Sequence, residues 1–232
     1  MRDRNMKPEH LKTLDNAFKV LMEIPTSRSG MSLITDTLHE CFGDEFSGYV
    51  VSTPPDVPMF VMSIFPERST ADKIIQSVVN GNTNFSTIQS LWEKNTKWTI
   101  EIDERILKDV FTTRELTAML LHEVGHLLES KAITTRVITV LQYEYAKTSM
   151  QNKMLLHTKV FRSIMSLPII NTCIADQKGP NLKEEIKADR YAKKLGYTKD
   201  LISAMSKLAK HPKCDLKMYP FVYNRCYHLH HL

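Results

Sequence analysis

Residues 112–129, TTRELTAMLLHEVGHLLE, read as one helix with a marked start. Thr112 and Glu115 have the spacing of a capping box, and Phe111 with Leu116 fits a hydrophobic staple. The helix is predicted to begin at about 113 and to run through Glu129. Ahead of it, KWTIEID has period two. Trp98, Ile100 and Ile102 point one way and Thr99 and Glu101 the other, as in a half-exposed strand that runs almost directly into the helix.

The helix carries HEVGH at 122–126. Residues i and i+4 share a helical face, so His122 and His126 can offer two imidazoles to one zinc ion. Glu123 lies one residue round, near the open side of such a metal, where a carboxylate can take a proton from bound water. An ordinary helix with two partly buried, hydrogen-bonded histidines has the same spacing. Gly125 costs about 1 kcal/mol relative to alanine inside a helix. That cost makes sense where another element packs closely against this face.

Catalytic zinc takes three protein ligands and keeps one open position, so a third ligand has to come from elsewhere. Glu129 is a poor choice, because it lies further along the same helix. EEIKADRYAKKLGY, residues 184–197, is better. Glu185, Ala188, Asp189 and Ala192 fall on one helical face, and the two alanines permit close approach. Glu185 is the expected ligand. Asp189, one turn on, can accept the ring N–H of a ligating histidine. Glu184 competes as ligand but is better used as a cap with Asn181, opening a helix that ends at Gly196.

Elsewhere the pattern is mostly helical. Apolar residues at 11, 14, 18, 21 and 22 make a helical stripe over 8–24, and 31–41 form a second helix ended by Gly43. GYVVST and PMFVMSIF read as strands joined by the turn-forming PPDVP. Helices are expected at 69–80, near 86–94, across much of 131–168 and at 198–210. His157 and Glu144 on the intervening helices are poor ligand candidates, and 154–170 reads as helix core or a cleft lid. The terminal HLHHL is expected to be disordered and to bind metal only adventitiously.

Composition excludes several alternatives. The 232 residues hold only 7 glycines and show no internal period, which argues against disorder or a repeat array. No apolar run reaches the roughly 18 residues of a membrane helix. The N-terminal MRDRNMKPEH has no apolar signal core, so a cytoplasmic protein is expected. The net charge of +5 is spread among acids, giving no reason to expect a specific nucleic-acid partner. Cys41, Cys173, Cys214 and Cys226 form no CxxC pair, which argues against a zinc ribbon or a disulfide framework. No linker is evident, so one domain is expected over 1–232. Within it, 1–45 is a helical elaboration, 46–130 a sheet with the HEVGH helix, 131–180 a helical insertion or lid, and 181–232 the third-ligand helix and C-terminal part.

TIEID, ELTAMLLHEVGH and EIKADRYA, the last with Glu185 59 residues after His126, resemble the soluble catalytic core of the HtpX/CAAX-prenyl-endopeptidase family of gluzincins, in its minimal BepA-like form. The family pattern is HExxH followed by ExxAD. In the family, a histidine-proline pair followed by an arginine helps stabilise the tetrahedral intermediate. In YPFVYNRCYHL, Pro220 and Arg225 fit that pattern and Tyr219 replaces the histidine; the literal His211-Pro212 lacks the arginine. The resemblance implies a zincin-like α+β fold, mostly helical, with a small N-terminal sheet packed on the HExxH helix. It also implies one zinc ion per chain, held by His122, His126 and Glu185, and a peptide or protein substrate. Glu123 would be the general base, Tyr219 and Arg225 the oxyanion donors, and the strand at 98–102 the one to which an extended peptide adds. Two other readings remain: a repressor-cleaving metallopeptidase of a mobile element, and a catalytically latent zinc-binding structural or interaction module.

Overall fold

The computed structural model describes residues 6–54, 61–66, 97–108, 111–129, 182–211 and 222–231. The chain divides into two compact units, one of 1–64, 99–129 and 180–232, the other of 65–98 and 130–179. Almost all of the second lies outside the described residues, as do the helices expected at 69–80, 86–94 and 131–168.

The first unit opens with two helices, α1 (Pro8–Glu23) and α2 (Arg28–Phe42). The predicted stripe on α1 is buried at Leu14, Phe18 and Leu21. Ser27 caps α2 by accepting the Gly30 N–H, and Gly43, at φ 71°, ends it in the left-handed region where glycine is favoured. A short three-stranded sheet follows, made of β1 (Glu45–Val51), β2 (Met62–Pro66) and β3 (Lys97–Asp103) in the order β1-β3-β2.

Two expectations about β3 need correction. As the central strand it is not half-exposed: Thr99 and Asp103 are buried along with Ile100 and Ile102. It also has a neighbour on each side, so an added peptide strand has no place beside it. The link to the motif helix is itself a short helix, α3 (Glu104–Lys108). Asp103 starts it, accepting the Arg105 N–H at 3.0 Å and pairing with the Arg105 guanidinium at 2.6 Å.

The motif helix, α4 (Thr113–Glu129), has the predicted bounds and the predicted cap. Thr112 N–H donates to Glu115 Oε2 at 2.6 Å, and Glu115 N–H to Thr112 Oγ1 at 3.2 Å. Residues 115–122 are buried without interruption, so α4 is the central rod of the unit. Packed against it are α1, α5 (Leu182–Lys194) and α6 (Thr198–Lys210). Gly196, at φ 84°, and the bond from Tyr197 N–H to Ala192 O close α5 in a Schellman-type turn. The tail is not disordered: α7 (Val222–His231) is helical and packs on α5 and α6, burying Arg225 and Leu229. Its apolar and arginine positions lie on one face, while its histidines mask that periodicity in the sequence.

No helix among the described residues is long and apolar enough to cross a membrane.

Glu115 ties this framework together, accepting from Thr112, Ser203 and Lys207 while 3% exposed. Burial would raise its pKa, but the bonds from Lys207, Ser203 and Thr112 hold it below the usual carboxylate range. A lowered folded-state pKa contributes stability above the unfolded carboxylate pKa, and that stability is lost as pH falls through the folded value. Glu115→Ala is expected to lower stability at pH 7 by about 1–3 kcal/mol, as read by urea denaturation. The gap from wild type should narrow on acidification.

Candidate metal centre

The close contact of α4 with α5 sets the site. A Cβ built on Gly125 would fall 2.4 Å from the Ala188 carbonyl oxygen and 2.7 Å from the Ala188 Cα. No side chain fits there, which accounts for a glycine inside a helix that would otherwise favour alanine. Ala188 and Ala192 are fully buried on the facing side, as their small size allows.

This approach brings Glu185 and Asp189 of α5 against the two histidines of α4. His122 Nε2 and His126 Nε2 are 3.1 Å apart. One Glu185 oxygen lies 3.4 Å from His122 Nε2, and the other 3.4 Å from His126 Nε2. Asp189 Oδ1 lies 2.8 Å from His122 Nδ1. Carboxylates only accept when ionised, so Asp189 holds a ring proton on Nδ1 and leaves Nε2 as the nitrogen nearest His126 and Glu185.

Glu123 offers an oxygen 4.0 Å from His122 Nε2, and with the two histidines forms a group of donor atoms within 4.8 Å of one another. Glu185 is nearer to both rings, at 3.4 Å, than Glu123 is to His122, at 4.0 Å. The Ile64 backbone N–H on β2 lies close enough to Glu123 to favour its ionised form. That contact has no sequence signal, because any residue with an N–H can supply it.

Arg225 enters from α7. Its Nε and Nη2 donate to Asp189 at 2.9 and 2.6 Å, and its Nη1 lies 2.7 Å from Glu185 Oε2. Tyr219 and Asn181 lie outside the described residues. Glu184 pairs instead with Lys187 at 3.2 Å.

Burial and charge drive these groups apart. For His122, burial and the Arg225 charge favour the neutral ring, but hydrogen bonds with Asp189 and Glu185 prevail and carry it up to about 9. Burial, with the His122 charge, pushes His126 down to about 4. Burial opposes the ionised forms of Glu185 and Asp189, yet bonding to His122 and the Arg225 charge bring both down to about 2. Burial lifts Glu123 to about 7.

The family model for peptidase family M48 matches residues 92–231, a span that contains all six side chains of this cluster. The chain belongs to peptidase family M48. No curated protein and no solved structure matches the chain. M48 peptidases are zinc-dependent metalloproteases acting on proteins or peptides, and a His-Glu-His group able to hold a metal is present here.

The donor geometry fits zinc. Ligand atoms about 2.0–2.1 Å from a tetrahedral zinc ion lie roughly 3.3–3.4 Å from one another. His122 Nε2 and His126 Nε2 stand 3.1 Å apart, and each meets its own Glu185 oxygen at 3.4 Å, Oε2 for His122 and Oε1 for His126, distances near that edge length. The mixed nitrogen and oxygen donor set is also one that zinc favours.

Gly125→Ala tests the helix contact. The added methyl is expected to lower stability by about 1–3 kcal/mol in denaturant titration, against the usual gain of alanine over glycine in a helix.

Proposed function

We propose that this chain is a zinc endopeptidase of the HtpX/CAAX-prenyl-endopeptidase kind, in its soluble, minimal gluzincin form. Supporting this reading most directly is the convergence of His122, His126 and Glu185, drawn from two helices, on donor separations that suit one zinc ion. His122, His126 and Glu185 would hold it, and Asp189 would fix the His122 ring. Among the described residues, the group of His, Cys, Asp or Glu side chains close enough to hold a metal ion is this one, His122 and His126 with Glu123.

When bound, zinc lowers the pKa of a coordinated water and polarises the scissile carbonyl. Glu123, with an oxygen 4.0 Å from His122 Nε2, would take the water proton and return it to the leaving amine. Burial raises its carboxyl toward the range where such exchange is efficient, while the His122 charge and the Ile64 N–H favour the ionised form it needs as a base. Tyr219 would donate its O–H to the oxyanion.

Peptide docking is best placed on β2. Among the described strands it lies at an edge of the sheet, and it brings the Ile64 backbone to Glu123. An extended substrate paired along that edge would pass the general base. We read 1–232 as one metallopeptidase domain and the cytoplasm as its compartment.

Purified wild-type protein is expected to hold one zinc ion per chain by elemental analysis, and His126→Ala and Glu185→Ala to lose it. Glu123→Gln should retain zinc and lose about 10²–10⁴-fold in peptide hydrolysis. Full loss of zinc from Glu123→Gln, or retained zinc in Glu185→Ala, would overturn the ligand assignment. The base acts ionised, so activity should rise with pH through the Glu123 pKa. A nearby cation favours the carboxylate, so this limb should lie below 7 in the loaded enzyme.

A further inference from the structure

Arg225 is 4% exposed, and each of its three guanidinium nitrogens meets a carboxylate of α5. Nε and Nη2 form a fork onto Asp189, and Nη1 reaches Glu185. A group that stabilises an oxyanion must present donors to an incoming carbonyl. Here each guanidinium nitrogen, and with it three of the five N–H donors, is engaged by the carboxylates that support the metal centre.

The contact with His122 shows what this engagement achieves. His122 Nδ1 lies 2.8 Å from Asp189 Oδ1 and 3.1 Å from Arg225 Nη2. A guanidinium can only donate. Were Nη2 to donate to Nδ1, the neutral ring would carry its proton on Nε2, the nitrogen that faces His126 and Glu185. Asp189 Oδ1 can only accept, and it requires the opposite tautomer. Nη2 has the closer partner in Asp189 Oδ1, at 2.6 Å. The fork thus turns Asp189 toward His122 and keeps the Nε2 lone pair available, while Nη1 holds Glu185 next to both rings.

We propose that Arg225 is a positioning residue. Clamped onto Asp189 and Glu185, it sets the tautomer of His122 and the place of the third ligand, so that the C-terminal helix α7 governs metal affinity. This rests on the zinc-peptidase reading. Lysine cannot reproduce the role, because an ammonium lacks the planar fork that spans two carboxylates.

The test is zinc affinity of the full chain, read by competition with a chromophoric chelator after metal removal, with folding followed by circular dichroism. Arg225→Lys is expected to bind zinc about 10–100-fold more weakly. Its peptidase activity should need correspondingly more zinc to saturate. Asp189→Asn should show a similar loss, and the double variant should be no weaker than the weaker single one, since both act through one contact. Leu229→Ala removes a buried α7 side chain without touching the clamp, and should keep zinc affinity within about threefold of wild type, far inside the loss expected for clamp variants.

Unchanged zinc affinity in Arg225→Lys together with lost turnover would overturn the proposal in favour of an oxyanion role. Additive losses in the double variant would also overturn it, as would a loss in Leu229→Ala equal to that in Arg225→Lys. Should Arg225→Lys fail to fold, Asp189→Asn alone decides: wild-type affinity there overturns the proposal. A wild-type chain that binds no zinc refutes the peptidase reading itself, a result distinct from any of these.

Discussion

The approach of α4 to α5 at Gly125 and Ala188 is the constraint on which the site depends. A helix pair held apart by ordinary side chains sits about 8–10 Å between axes. Here one helix has no side chain and the other only a methyl at the point of contact. That allows short carboxylates on α5 to reach imidazoles on α4 directly. The capping box at Thr112 and Glu115 fixes where α4 starts, and hence which residues face α5. The turn at Gly196 ends α5 and sends the chain into α6, whose Lys207 and Ser203 return to Glu115. The local signals and the packing therefore agree on one arrangement.

The charges inside this arrangement are balanced as a set. The carboxyls of Glu185 and Asp189 are held low although burial opposes it, because His122 and Arg225 lie against them. Glu123 stands apart from this network. Its carboxyl is lifted toward neutrality by burial, whereas those of Glu185 and Asp189 are lowered. One cluster thus holds two kinds of carboxylate environment, one lowered by its hydrogen-bonded and charged neighbours and one raised by burial.

Much of this was legible in the sequence where a signal is local. The bounds of α4, the capping pair and the αL glycine after α2 follow from short-range chemistry. Gly125 and the Ala188–Ala192 face were legible as a pair only because a glycine costing stability calls for a close neighbour. What escaped was set by tertiary context. The exposure of β3 could not be read from alternation, because a central strand buries both kinds of position. The polar histidines of α7 hid a helix whose inward face is only Arg225, Leu229 and their neighbours. The Ile64 N–H at Glu123 carries no side-chain signature at all. Arg225 was found from its place in a motif, but its attachment to α5 depends on where α7 packs.

The most direct measurement is an anomalous difference map at the zinc absorption edge, from crystals of the zinc-loaded protein. The account predicts one strong peak within about 2.0–2.1 Å of His122 Nε2, His126 Nε2 and a Glu185 oxygen, with Glu123 outside bonding distance. A peak that lacks Glu185, or zinc found only among the histidines of α7, would contradict it.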